Sequence, residues 1–288
     1  MPKHITKVQK EEIVNFYKTR PMAQEEIAKK YNVSLPSVIK ILKEYRVKVY
    51  NKVQLFSPNL NEHYFDKIDT EEKAYFLGLI ITDGCIHRTK GKQPLVALTL
   101  QESDKYILER FKTAICSNKT ITSDGRGCVN INILSRTMVE SLKQYGVYER
   151  KSLHTIFPQN IPQELYPHLI RGILDGDGSV SFYARRGRKC HVKAIRFCQG
   201  NEKFLKDLVD CLYNNCGAIK INTYQEKDNL WSIAYRKDDS MIKVIQYLYG
   251  DATIYLTRKK HLCDLICNEI IKYGNTEITI ENKTSMVS

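Results

Sequence analysis

The sequence predicts an α+β protein: a small all-α module followed by two pseudo-symmetric repeats of αββαββα type. Three observations carry this. Residues 77–84 read LGLIITDG and residues 171–178 read RGILDGDG, two apolar helices closed by Asp-Gly at domain-scale spacing. The elements that follow each motif recur in the same order. Residues 8–45, ahead of both, show only helical periodicity.

Composition narrows the class. The chain has 288 residues, enough for more than one folded unit, and 42% apolar residues, as a globular protein requires. No apolar run approaches the ~18 residues of a membrane span, so no membrane association is expected. The opening MPKHITKVQKEE lacks the apolar stretch of a secretory signal. Nine cysteines, an odd number with no CxxC pair, read as buried thiols of a reducing, intracellular compartment. Forty-five Lys+Arg against 32 Asp+Glu give a net charge of +13, which points to a polyanionic partner. Residues 1–68 hold 13 basic and 7 acidic residues, so the excess is spread along the chain.

The front module takes residues 1–47. VQKEEIVNFYKT predicts a first helix with Val8, Ile13, Phe16 and Tyr17 on its apolar face. AQEEIAKKY predicts a second, with Ile27, Ala28 and Tyr31 inward. LPSVIKILKEY predicts a third, with Ser34 as N-cap and Pro36 in the first turn, where its missing N–H costs little. Asn32 stands at the sharp turn between them, where a left-handed residue is needed. The stretch resembles a helix-turn-helix. Its last helix would present Ser34, Leu35, Ser37, Lys40 and Lys43 outward, able to enter a major groove. A protein-binding three-helix bundle is the competing reading. Residues 48–68 lack sustained periodicity and read as a linker.

Residues 69–160 and 161–268 form the two repeats, and 269–288 a polar tail. Each repeat opens with its motif helix. A basic hairpin follows, CIHRTKGKQPLVALTLQ and then SVSFYARRGRKCHVKAIRFCQ. An amphipathic helix comes next, DKYILERFKTAI and then NEKFLKDLVDCL. A second strand pair contains CVNINIL and LWSIAYRK, each alternating apolar with smaller or polar residues. A closing helix and a basic stretch end each copy. A period of this length is far too long for a solenoid unit.

Small residues recur at i and i+4 in both motif helices: Gly78 and Thr82, then Gly172 and Gly176. One face of each helix is therefore narrow enough for close contact with the other. Packing of the two faces would bring Asp83 and Asp177 together at one end. Adjacent carboxylates repel, and a divalent cation is the usual remedy.

The motif pair resembles that of the LAGLIDADG homing endonucleases in their single-chain, two-repeat form. Phe76 to Gly84 and Ile170 to Gly178 align with the name motif. The resemblance spans about residues 70–265. It implies a DNA-binding saddle of two repeats and a site-specific, Mg²⁺- or Mn²⁺-dependent double-strand DNA endonuclease that works as a monomer. The long, imperfectly palindromic target would be cut across the minor groove to leave short 3′ overhangs. Asp83 and Asp177 fall on the catalytic, metal-binding acids, helped by backbone carbonyls at Thr82 and Gly176. Asp175 is the extra upstream acid, where the first copy has Ile81. Gln101 and Gln199, closing LTLQ and RFCQ, are assigned equivalent places as water-orienting residues. Lys151 and Lys259 are assigned as the basic members of the two active-site halves.

The hairpins would read DNA in the major groove. Their candidates are His87, Arg88, Lys90 and Lys92 in the first repeat. In the second they are Tyr183, Arg185, Arg186, Arg188, Lys189, His191 and Lys193, with the RRGRK tip gripping phosphates. Two alternatives share the fold: a non-cleaving DNA-binding regulator, and a maturase that binds intron RNA. The protein is expected inside a bacterium, a phage-infected cell or an organelle.

Overall fold

The computed structural model describes residues 5–19, 24–47, 49, 59–149, 155–187 and 191–273. The chain divides into two compact units, Met1–Asn61 with Lys112–Thr120, and Glu62–Phe111 with Ile121–Ser288.

The first unit carries three helices, α1 (Lys7–Thr19), α2 (Gln24–Lys30) and α3 (Leu35–Glu44). Ser34 caps α3 through its Oγ, which accepts from the Ser37 amide at 3.3 Å, and Pro36 lies in the first turn. Asn32 has φ of 53°, the left-handed turn expected there. Ile13, Val14, Tyr17, Ile27, Ala28, Val38, Ile41 and Leu42 form the core. Two expectations fail. Val8 is 63% exposed, because the face of α1 that meets the core runs through Ile13 and Tyr17. Leu35 is half-buried against the core instead of pointing outward.

The second unit repeats one topology. After α4 (Glu71–Thr82) come β1 (Gly84–His87), β2 (Leu95–Gln101), α5 (Lys105–Ala114), β3 (Thr122–Ser123), β4 (Cys128–Leu134) and α6 (Arg136–Lys143). After α7 (Tyr166–Gly176) come β5 (Ser179–Tyr183), β6 (Val192–Gln199), α8 (Glu202–Cys216), β7 (Tyr224–Lys227), β8 (Leu230–Tyr235) and α9 (Asp238–Tyr249). A further helix, α10 (Thr257–Tyr273), follows. Both antiparallel sheets have the same strand order, β1-β2-β4-β3 and β5-β6-β8-β7. This is the expected α+β architecture of two pseudo-symmetric repeats.

Each sheet buries one face. Val96, Leu98, Leu100, Val129, Ile131 and Ile133 point into the first core, and Ile195, Phe197, Ile233 and Tyr235 into the second. Asn130 and Asn132 fall on the opposite face of β4, as the alternation predicts. The predicted boundaries shift at both ends. Tyr64, Phe65 and Ile68 are buried, so this stretch of the supposed linker belongs to the first repeat's core. Ile270 is buried on α10, so the tail does not begin at 269. The thiols also differ from expectation. Cys263 is buried, whereas Cys85 and Cys116 are exposed.

Candidate functional site

The site is built by the crossing of α4 and α7. A Cβ on Gly78 would lie 2.3 Å from the Leu169 carbonyl oxygen and 2.9 Å from Gly172 Cα. A Cβ on Gly172 would lie 2.2 Å from the Tyr75 carbonyl oxygen. One turn on, a Cβ on Gly176 would lie 1.9 Å from Thr82 Oγ1. Only glycine fits these positions, and the small-residue face read from sequence is the contact face. Thr82 satisfies its own hydroxyl within α4, on the carbonyls of Gly78 and Leu79, both at 3.1 Å.

The two acids follow directly. Asp83 and Asp177 cap their helices with φ near −80° in both, and neither Gly84 nor Gly178 takes a left-handed conformation. These glycines serve instead to let the chain turn hard against the preceding helix. A Cβ on Gly84 would meet the Ile80 carbonyl oxygen at 2.6 Å, and one on Gly178 the Leu174 carbonyl oxygen at 2.6 Å. Asp83 Oδ2 reaches to 3.3 Å from the position a Gly176 Cβ would take, next in chain to Asp177. Asp83 is half-buried and Asp177 exposed.

Lys259, in the first turn of α10, is 4% exposed. Its Nζ donates to the carbonyls of Leu174, Asp175 and Gly178 at 2.7, 2.6 and 2.7 Å, with a longer contact of 3.3 Å to Gly176. The ammonium thus gathers the open carbonyls at the end of α7, where the helix dipole is negative. Burial pulls its pKa down to about 8, against the opposing pull of Asp175, and the Asp83 charge also reaches it. Lys151 lies outside the described residues.

Asp175 is buried in the interior. It is 1% exposed and accepts from Tyr75 Oη at 2.8 Å, Tyr249 Oη at 3.1 Å and the Leu256 amide at 2.8 Å. Burial raises its pKa despite these donors, and burial likewise holds both tyrosine hydroxyls protonated. The upstream acid is therefore a structural tie, and Ile81 in the first copy removes nothing from the pair.

The two glutamines are not equivalent. Cys85 pairs with Ala97, and Ser179, at the same step after its motif, pairs with Arg196. By that register Gln199 corresponds to Leu100, one residue out of step with Gln101. Gln101 is exposed, on the sheet face away from the core and at the Asp83 end of β2. Gln199 is 6% exposed on the core face, with Oε1 turned back onto the Gly200 amide at 2.8 Å.

The hairpin candidates also separate. His87, Lys90, Lys92, Tyr183, Arg185 and Arg186 are exposed. Arg88 bends to α6 and the following loop, pairing with Glu140 at 3.0 Å and Glu149 at 2.7 Å. His191 and Lys193 share the core-side parity of Ile195, so they do not face a groove as the sequence suggests. His191 stacks on Phe182 at 4.2 Å and pairs with Glu269 of α10, while Lys193 pairs with Asp238 at 3.2 Å. Arg188 and Lys189 lie outside the described residues. On α3, Lys40 and Lys43 are exposed, and the Ser34 and Ser37 hydroxyls bond each other at 2.8 Å. Sequence reading misses Arg196. It lies on the open face of β6 and pairs with Glu226, and its Nε is buried without a hydrogen-bond partner among the described residues. Its alternation with the core positions Ile195 and Phe197 is the available signal.

Solved structures share the fold of the two repeats. The chain is similar to the LAGLIDADG homing endonuclease I-GzeII in complex with its DNA target, with TM-score 0.51 and 16% identity over 69% of this chain and 90% of that one. It is similarly close to the meganuclease I-SmaMI bound to an uncleaveable DNA, with TM-score 0.51 and 12% identity over 72% of this chain and 93% of that one. No family model matches the sequence, and no curated protein matches it. The likeness establishes the fold: the two repeats adopt the LAGLIDADG meganuclease architecture. No helix among the described residues is long and apolar enough to cross a membrane.

Proposed function

We propose that this protein is a site-specific, divalent-metal-dependent DNA endonuclease of the homing type, acting as a monomer on a long, imperfectly palindromic duplex inside its host cell. The observation that carries this reading is the glycine-mediated crossing that sets Asp83 against the end of α7, beside Asp177. Two carboxylates brought to the same end of the crossing would favour a cation between them. No group of three or more His, Cys, Asp or Glu suited to a metal occurs among the described residues. Mg²⁺ does not need one, since it keeps several waters and takes one or two carboxylates plus substrate phosphate oxygens. Asp83 and Asp177, with the carbonyls of Thr82 and Gly176, fit that donor chemistry. The 3.3 Å contact from Lys259 leaves the Gly176 carbonyl open to a further partner. When bound, the ion would activate water and offset charge on the attacking and leaving oxygens.

The chain's own residues supply the rest. Lys259 holds a cation at the end of α7, close to where charge develops on the phosphate. Gln101, on the open face, is within the same end of the sheet and would orient water, whereas buried Gln199 would act only by shaping the turn. Lys151 would supply the matching cation in the first half. Outward residues of the hairpins, His87, Lys90, Lys92, Arg185 and Arg186, would contact bases and phosphates, and the sequence adds Arg188 and Lys189 to that set. The α3 face bearing Lys40 and Lys43 would extend the footprint as a DNA-binding helix.

The experiment is digestion of genomic DNA from candidate hosts and phages with Mg²⁺, followed by sequencing of the ends. Discrete double-strand breaks with short 3′ overhangs are expected. Protection of a discrete duplex without cutting would instead assign a regulator. Selective binding of structured intron RNA would assign a maturase.

A further inference from the structure

We propose that the first repeat sets the position of the second repeat's lysine. Tyr106 and Arg110 on α5 and Glu71 on α4 are positioning residues that fix the segment 251–256, and through it Lys259, at the end of α7.

The segment joins α9 to α10 and has no regular structure of its own. Its polar groups are met from outside, position by position. The Thr253 amide and hydroxyl donate to the two carboxylate oxygens of Glu71 at 2.7 and 2.9 Å. Arg110 donates to the Thr253 carbonyl at 2.8 Å and is itself held by Glu72 at 2.6 Å. Arg171 donates to the Ile254 carbonyl at 2.8 Å and to Glu71 at 2.6 Å. Tyr106 Oη lies 3.0 Å from the Tyr255 carbonyl and accepts from the Thr257 amide at 2.7 Å. The Leu256 amide ends on Asp175. The Leu256 carbonyl then receives the amides of Lys259 and Lys260, both at 3.0 Å. One continuous set of hydrogen bonds therefore runs from α4 and α5 to the backbone of Lys259.

Direction matters here. The lysine reaches the carbonyls of α7, which lie in its own repeat, yet Glu71, Arg110 and Tyr106 belong to the other. Movement of one repeat against the other would shift the segment and take Lys259 off its carbonyls. Tyr106 is 42% exposed, so removing its hydroxyl empties no core. The contact serves placement more than burial.

The effect on cleavage rests on the nuclease reading; the placement of Lys259 does not. Two readouts keep them apart. Wild type, Tyr106→Phe and Arg110→Met would be acetylated briefly and the lysines quantified by mass spectrometry, with exposed Lys203 as reference. Local opening at the segment should raise Lys259 labelling by about tenfold in both variants. The melting temperature should stay within about 3 °C of wild type. On a cleaved duplex, the single-turnover rate should fall by about ten- to a hundredfold with the DNA Kd unchanged, as misplacement of a reacting group predicts. Unchanged Lys259 labelling in both variants would overturn the proposal. So would a rate loss explained entirely by weaker DNA binding. If wild type cuts no DNA while labelling rises as expected, the placement stands and the nuclease reading falls.

Discussion

Replacing Gly172 by Ala perturbs the helix crossing on which both acids depend. The new Cβ would start 2.2 Å from the Tyr75 carbonyl oxygen and 3.0 Å from Gly78 Cα. Both obstacles are backbone, so no side chain can rotate away. Relief requires the helices to part by roughly 1 Å, since a carbon meets a neighbouring atom comfortably only near ~3.5 Å. Overpacking of this kind costs about 1–3 kcal/mol, and a backbone obstacle places it at the upper end. A loss of about 3 kcal/mol corresponds to a fall in melting temperature of roughly 6–12 °C for a unit of this size. Gly91→Ala is the control. Nothing lies within 4 Å of its Cβ position, and only its φ of 75° resists the change. Its cost should be about 1 kcal/mol. Urea unfolding followed by circular dichroism measures both. Gly172→Ala within about 0.5 kcal/mol of wild type, the range of ordinary surface substitutions, would refute the close crossing.

Three further outcomes are expected. Glu71 is the anchor of the 251–256 segment, and although burial pushes its pKa up, the Thr253 amide and hydroxyl and Arg171 bring it below the ordinary 4.5. A depressed carboxyl contributes stability above its unfolded value and loses it as pH falls through the folded one, so wild type should lose its advantage over Glu71→Gln below about pH 4.5 in acid unfolding. Deleting residues 1–47 should shorten a DNase footprint and reduce the slope of log affinity against log salt by about 0.9 for each phosphate that α3 neutralises, with an unchanged slope excluding α3 from the interface. Arg196→Ala should weaken recognition at one base step or phosphate in the second half-site, by about 1–3 kcal/mol if it reads a base, measured by competition binding across single-position target variants.

Much of the fold is legible in the sequence because it rests on local rules. The i, i+4 spacing of Gly78 with Thr82 and of Gly172 with Gly176 determines which helix faces can touch, and the contact forms there. Ser34 as a cap and Asn32 in the left-handed region follow from side-chain chemistry alone. Other features depend on residues distant in sequence. LTLQ and RFCQ look alike, but only strand pairing shows that Gln101 and Gln199 face opposite ways. RKCHVK reads as a basic hairpin arm, yet Glu269, 78 residues away, draws His191 to the helical side. Asp175 reads as an extra motif acid because Tyr75, Tyr249 and Leu256, which bury it, cannot be aligned to it by pattern. Lys259 stands out in the sequence only by its place after the closing helix. Its real constraint, the open carbonyls of α7, comes from tertiary packing.

In the proposed nuclease, Asp83 and Asp177 at the crossing of α4 and α7 would cut DNA as a pair. The most direct measurement takes a duplex recovered from the genomic digest and follows strand cleavage and footprint together for wild type, Asp83→Asn and Asp177→Asn. Each variant should lose double-strand cleavage by at least about a hundredfold while its footprint is retained, because isosteric amides preserve the fold but not the charge. Wild-type cleavage in either variant would contradict it.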